Sequence, residues 1–187
     1  MKEGKYKPAI KEQNTIHSLK FEVCGYIDLF THANYRDILI DSLQFGRKNK
    51  GISLYAFCVM PSYLLLMLKA NIPFMLSDFI RDYKKYTHHL MMKIIQTEDE
   101  ERRLWMLHQF GYYASRHTRN EDYQIWTNNS CPFIVNTMDE ALQWKNKIEY
   151  EPVRKKIVID QKAYIFSSAA SYLIENNKIE IDPLTIV

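Results

Sequence analysis

Two apolar runs with only three residues between them constrain this chain more than any other feature of its sequence. Residues 52–59 and 63–70 are both rich in β formers, and Met60, Pro61 and Ser62 separate them. Proline cannot donate to a ladder, so the break marks two strands and a turn, not one long strand. We read them as an antiparallel pair at the centre of a sheet. A further strand starts at Ile16. There Leu19, Phe21 and Val23 point one way while Ser18, Lys20 and Glu22 point the other. That alternation is the pattern of a half-buried strand.

Helical spacing fills the rest. Asn34 is expected as an N-cap with Asp37 three residues on, and Tyr35, Ile38, Leu39, Ser42 and Leu43 recur at helical intervals up to the stop at Gly51. This predicts a helix over 35–49. Ser77 and Asp78 open a second, strongly amphipathic helix. Its apolar face carries Leu76, Phe79, Ile80, Tyr83, Thr87, Leu90, Met91 and Ile94, and another face carries Arg81, Lys84, Lys85 and His88. An acidic run at 98–101 precedes a helical stretch over about 102–117, giving a helical insertion at about 98–121. Residues 123–135, interrupted at Asn128 and Asn129, read as one more strand or a short hairpin. A third helix is expected from near Thr137 to about Tyr150, ended by Pro152. The order strand, helix, strand, strand, helix, strand is that of an α+β, ferredoxin-like antiparallel sheet (β-α-β-β-α-β), with helices on one face and additional helices after it.

Composition fits this picture. The chain has 187 residues, 47% hydrophobic and 25% charged, enough for one domain with no disulfide or metal needed to fold. We expect a loose arm over 1–15 and a single domain over 16–187. The formal net charge is only +3, so any basic face must come from clustering. Cys24, Cys58 and Cys131 are odd in number and form no C-x-x-C pair, which suits reduced thiols in the cytoplasm. The N-terminal residues lack the apolar core of a signal peptide, and no apolar run approaches the ~20 residues of a membrane span. A cytoplasmic protein with no membrane partner is expected.

Three ordered blocks resemble a known family. Met60-Pro61-Ser62-Tyr63-Leu64-Leu65 resembles a strand end of the form Met-Pro-Asn-His, followed by an apolar residue and His. Lys147-Ile148-Glu149-Tyr150-Glu151-Pro152-Val153-Arg154 is similar to Tyr-Ile-x-x-Asn-Pro-Val-Arg. Tyr164-Ile165-Phe166-Ser167-Ser168-Ala169 is similar to Tyr-x-x-Ser-Ser-Ala. These are blocks of the single-tyrosine HUH transposases of the REP-associated, insertion-sequence type. The stretches Tyr123-Gln124-Ile125-Trp126 and 79–87 also look like longer relatives, so the resemblance spans about 16–172.

The resemblance implies a ferredoxin-like domain that binds single-stranded or hairpin DNA. In the family, two His on alternate residues of a strand hold a divalent metal such as Mg or Mn, and a helix-borne tyrosine attacks a phosphodiester to give a 5′-phosphotyrosine link. Carried over, the two His positions are Tyr63 and Leu65, the nucleophile is Lys147, and the polar position four residues later is Glu151. Leucine cannot ligate a metal, and lysine cannot form a phosphotyrosine. The resemblance therefore assigns no catalytic residue, metal ligand or cofactor here. Tyr150, three residues past Lys147, is the candidate for a shifted nucleophile. The histidines at 17, 32, 88, 89, 108 and 117 form neither H-x-H nor H-x-x-x-H and read as solvated or capping.

Basic residues cluster in three places: Arg81, Lys84, Lys85 and His88; Arg116, His117 and Arg119; and Arg154, Lys155 and Lys156. Tyr83, Tyr86, Tyr112, Tyr113 and Trp126 lie near them as candidate stacking partners for unpaired bases. Three readings follow. The first is an inactive transposase relative that still binds single-stranded or hairpin DNA. The second is a protein-interaction module that forms a homodimer or pairs with active relatives. The third is an active nuclease using Tyr150.

Overall fold

The computed structural model describes residues 10–97, 102–116, 122–171 and 179–184. The apolar pair forms a hairpin, with β2 over Ile52–Met60 and β3 over Tyr63–Ala70. Pro61 and Ser62 alone make the turn, and Met60 faces Tyr63 across it. A bulge between Leu54 and Ala56 shifts the register of β2. With β1 over Ile16–Glu22 and β4 over Phe133–Val135, the sheet has the antiparallel order β2-β3-β1-β4. This is the ferredoxin-like order expected from the sequence.

Leu19, Phe21, Leu54, Phe57, Val59, Leu64, Leu66 and Leu68 bury one face of the sheet. Helices α1 (Ala33–Asn49) and α2 (Leu76–Thr97) cover that face through Tyr35, Leu39, Leu43, Phe79 and Tyr83. The other face is also covered, contrary to expectation. Helix α4 (Met138–Glu149) lays Ala141, Trp144 and Ile148 against Ile16, Ala56, Cys58, Met60 and Met67. β1 is therefore buried on both sides over its first half, and Ser18 is a core residue. An alternating strand shows one apolar face; it does not show that a distant helix returns to cover the other.

Several boundaries differ from the sequence reading, each for a local reason. Helix α1 starts one residue before Asn34, and its N-cap is His32 with no side-chain cap. Gln13 and Asn14 are anchored, not loose. Gln13 Oε1 accepts from the Ser77 N–H at 2.9 Å at the start of α2, and Asn14 Nδ2 donates to the carbonyls of Ala70 and Phe74 at 2.8 Å each. The helical insertion contains α3 (Arg103–Ser115), while residues 98–101 and 117–121 lie outside the described residues. Residues 123–135 form neither a full strand nor a hairpin. Trp126 makes a single bridge to Val23, and only β4 pairs beyond it. Helix α4 starts where expected, and Thr137 caps it, accepting from the Glu140 N–H at 3.2 Å. Pro152 does not end the helical run. It sits in the first turn of α5 (Glu151–Arg154), where its missing N–H would have had no helical partner.

The C-terminal block covers the outer edge of β2. Val59 N–H donates to the Phe166 carbonyl at 2.8 Å, Tyr164 Oη–H to the Val59 carbonyl at 2.7 Å, and Phe57 N–H to Ser168 Oγ at 3.2 Å. Ser168 begins the short helix α6 (Ser168–Ser171) and donates to the buried Glu149 at 2.7 Å. Asp182 closes the near end of the same edge by pairing with both backbone groups of Leu54. An unpaired edge would offer a pairing template, and this one is covered. Among the described residues, no helix is long and apolar enough to cross a membrane.

Candidate nucleic-acid interface

The cleft that matters lies on the α4 side of the sheet, over the start of β3. Period two sends Tyr63 and Leu65 to this face. The register of β1 sets Glu22 opposite Tyr63 and Lys20 opposite Leu65. The run from α4 into α5 then places Lys147, Glu151 and Arg154 over them, since residues three and four apart share a helix face. With Tyr26, Trp144 and Lys155 these residues line a cleft of about 440 Å³.

A hydrogen-bonded set fills its floor. Tyr63 donates its phenol O–H to Glu151 Oε1. Arg154 donates from Nε to Glu151 Oε2 at 2.6 Å and from one terminal nitrogen to Oε1 at 2.5 Å. The Glu151 side chain is only 5% exposed, so its charge is removed from water and held by these donors. Burial opposes ionisation of Glu151. The hydrogen bonds from Arg154 and Tyr63 and the charges of Arg154 and Lys155 outweigh it and hold the carboxyl below its usual range. Burial first, then the hydrogen bond and charge of Glu151, push the Tyr63 phenol well above its own. Both shifts leave the shared proton on the phenol. Lys20 pairs with Glu22 and lies 4.5 Å from the centre of the Tyr63 ring. Lys147 is 4.2 Å from the Trp144 ring centre. At the rim, Tyr26 is 71% exposed and holds a left-handed φ of 55°, a conformation that costs a non-glycine residue about 1 kcal/mol or more.

The residues present do not fit the divalent metal that the family resemblance implies. Leu65 has no donor atom. Tyr63 offers a protonated phenol already spent on Glu151. Both Glu151 oxygens carry donors from Arg154 or Tyr63, so a cation would have to displace a guanidinium. Among the described residues, no group of three or more His, Cys, Asp or Glu is placed to hold a metal ion.

No protein-family model matches the chain, and no curated protein matches it. Among solved structures, a REP-associated tyrosine transposase bound to a REP hairpin aligns with a TM-score of 0.58 at 13% identity, over 93% of this chain and 87% of that one. The chain has the fold of that transposase. A transposase candidate from Deinococcus radiodurans is also similar, at 20% identity and a TM-score of 0.46, over 81% of this chain and 98% of that one.

On the transposase fold the expected binding residues do not form one surface. α2 packs on one face of the sheet and the cleft opens on the other. Arg81 is paired with Asp78 and Asp82. Lys84 turns inward to the carbonyls of Thr127 and Asn129, at 3.0 and 3.3 Å. Lys85 and His88 line a separate hollow with His89 and Tyr123. Arg116 lies 5.1 Å from the Tyr112 ring centre, and His117 and Arg119 lie outside the described residues. Arg154 and Lys155 do line the cleft, with Lys156 exposed beside them.

Other expectations are corrected by burial. Tyr83 and Trp126 are core residues, so they cannot stack on bases; Trp126 donates its indole N–H to Thr87 Oγ1 at 3.0 Å. His17 is buried, not solvated, and its Nδ1–H donates to the Thr15 carbonyl at 3.0 Å. Tyr150 caps α4, is 49% exposed and does not line the cleft, so it is not placed to replace Lys147. The sequence reading missed Lys20, Glu22, Tyr26 and Trp144. The alternation of β1 had already put Lys20 and Glu22 on this face, but only the β1–β3 register sets them against Tyr63 and Leu65.

Proposed function

We propose that this chain is a relative of the REP-associated tyrosine transposases that has lost their reaction and binds single-stranded or hairpin DNA through the cleft. One observation carries the reading. The positions of the two metal ligands and the nucleophile hold Tyr63, Leu65 and Lys147, and the remaining carboxylate is closed by Tyr63 and Arg154. Catalysis by the family's route needs residues that hold a metal on the phosphodiester and a phenol that attacks it, and Tyr63, Leu65 and Lys147 at those positions do neither. A lysine in place of the phenol turns a reacting position into a phosphate-attracting one.

The cleft suits a strand with unpaired bases. Lys147, Lys155 and Arg154 provide cations for the backbone, and Tyr26 presents an exposed ring at the rim for stacking. A transposase of the same fold has been solved with a DNA hairpin. A mobility-shift assay with hairpin-bearing and linear single strands at two salt concentrations tests the proposal. Binding that weakens steeply with salt supports it. Absence of binding to both strands at low salt refutes it.

A further inference from the structure

We propose that the cleft seats a backbone phosphate of the bound strand without a divalent cation, Arg154 donating to the phosphate while Glu151 holds it in place. This rests on the nucleic-acid reading above and goes further by naming what replaces the metal. A guanidinium has five N–H donors in one plane. Glu151 takes the side formed by Nε and Nη2, at 2.6 and 2.5 Å. The Nη1 edge makes no hydrogen bond among the described residues, and the Arg154 side chain is 59% exposed. One edge is therefore fixed by a buried carboxylate while the other is unbonded, on an exposed side chain that lines the cleft. That is a preorganised donor of the kind that suits a phosphate oxygen.

The charges agree. Lys20 is paired with Glu22 and Arg154 with Glu151. Lys147 and Lys155 are exposed and line the same cleft, and neither is paired with a carboxylate among the described residues. Their charge attracts the phosphate, and the Arg154 edge orients it. A divalent ion adds nothing here, because the carboxylate that would hold it is already neutralised by the guanidinium. Free Mg²⁺ should only compete as a counterion.

The test is fluorescence anisotropy of the full chain with a labelled hairpin-bearing single-stranded DNA, in EDTA and in Mg²⁺ at matched ionic strength. Affinity in EDTA is expected to equal or exceed that in Mg²⁺. Arg154→Ala is expected to weaken binding about tenfold and to reduce the salt slope by about one. Arg154→Lys should recover only part of the loss, because Glu151 cannot hold an ammonium in the same forked way. Lys155→Ala, an exposed position, provides a second variant and should also lower the slope by about one. Binding that is lost in EDTA and restored by Mg²⁺ or Mn²⁺ overturns the inference and leaves the nucleic-acid reading standing. So does wild-type affinity and slope in a folded Arg154→Ala. No binding under any condition overturns both.

Discussion

Glu151 and Tyr63 show at the residue scale how a carboxylate in a cleft becomes a structural contact. The phenol and carboxylate meet across 88 residues of sequence, and the proton stays with the phenol because burial raises it and Arg154 lowers Glu151. Tyr63→Phe removes one hydrogen bond to a carboxylate that Arg154 still holds. It should destabilise the fold by about 1–2 kcal/mol, read as a lower urea midpoint at unchanged slope. Glu151 has a folded value below its usual 4.5, so its contribution is full above that pH. It is lost as pH falls through the lowered folded value, and Glu151→Gln should flatten this acid limb. His17 works in a different window. Burial lowers its pKa from the usual 6.5, against weaker raising effects from Thr15 and Glu12, so folding favours the neutral ring. Its contribution is complete above 6.5 and declines as pH falls below it toward the folded value. A stability profile of His17→Gln should lose that slope; an unchanged slope below pH 6.5 would show that another group causes it.

Elements were legible where periodicity was strong. The β2–β3 hairpin and the apolar faces of α1 and α2 follow directly from their patterns. The placement of α4 on the opposite face does not, since Ala141, Trp144 and Ile148 mark an apolar stripe but not its partner. Nor could the sequence reveal that Ser168 reaches Phe57 and Glu149, because these contacts join separate segments. Ser168→Ala leaves the Phe57 N–H and a buried carboxylate short of a partner. It should cost about 1–3 kcal/mol and speed hydrogen exchange at the Phe57 and Val59 amides. Unchanged exchange there would mean the block does not secure the edge. The α1–α2 crossing gives a second test. A Cβ at Gly46 would lie 2.5 Å from the Phe79 ring, which is itself buried and packed on Tyr83. Alanine gains about 1 kcal/mol in helix propensity, but overpacking costs about 1–3. Gly46→Ala should therefore lower the melting temperature, and a raised one would contradict the close crossing.

At the scale of the whole molecule, the sheet carries a helical layer on each face, and the chain shares its fold with a transposase while Tyr63, Leu65 and Lys147 stand in its cleft. The side-chain types at 63, 65 and 147 were legible from sequence alone, and they decide what the proposed loss of reaction rests on, since a leucine cannot ligate and a lysine cannot form a phosphotyrosine. The i,i+3 spacing of Glu151 and Arg154 allowed their pairing, but the closure of Glu151 by Tyr63 was not legible, because it depends on how α5 docks over β3. The most direct test incubates the wild-type chain with a hairpin-bearing single strand and Mn²⁺, then resolves the products on a denaturing gel. Uncut DNA with no protein attached to it is expected, under conditions where the native complex forms. A covalent protein–DNA species, or specific cleavage of the strand, would contradict it.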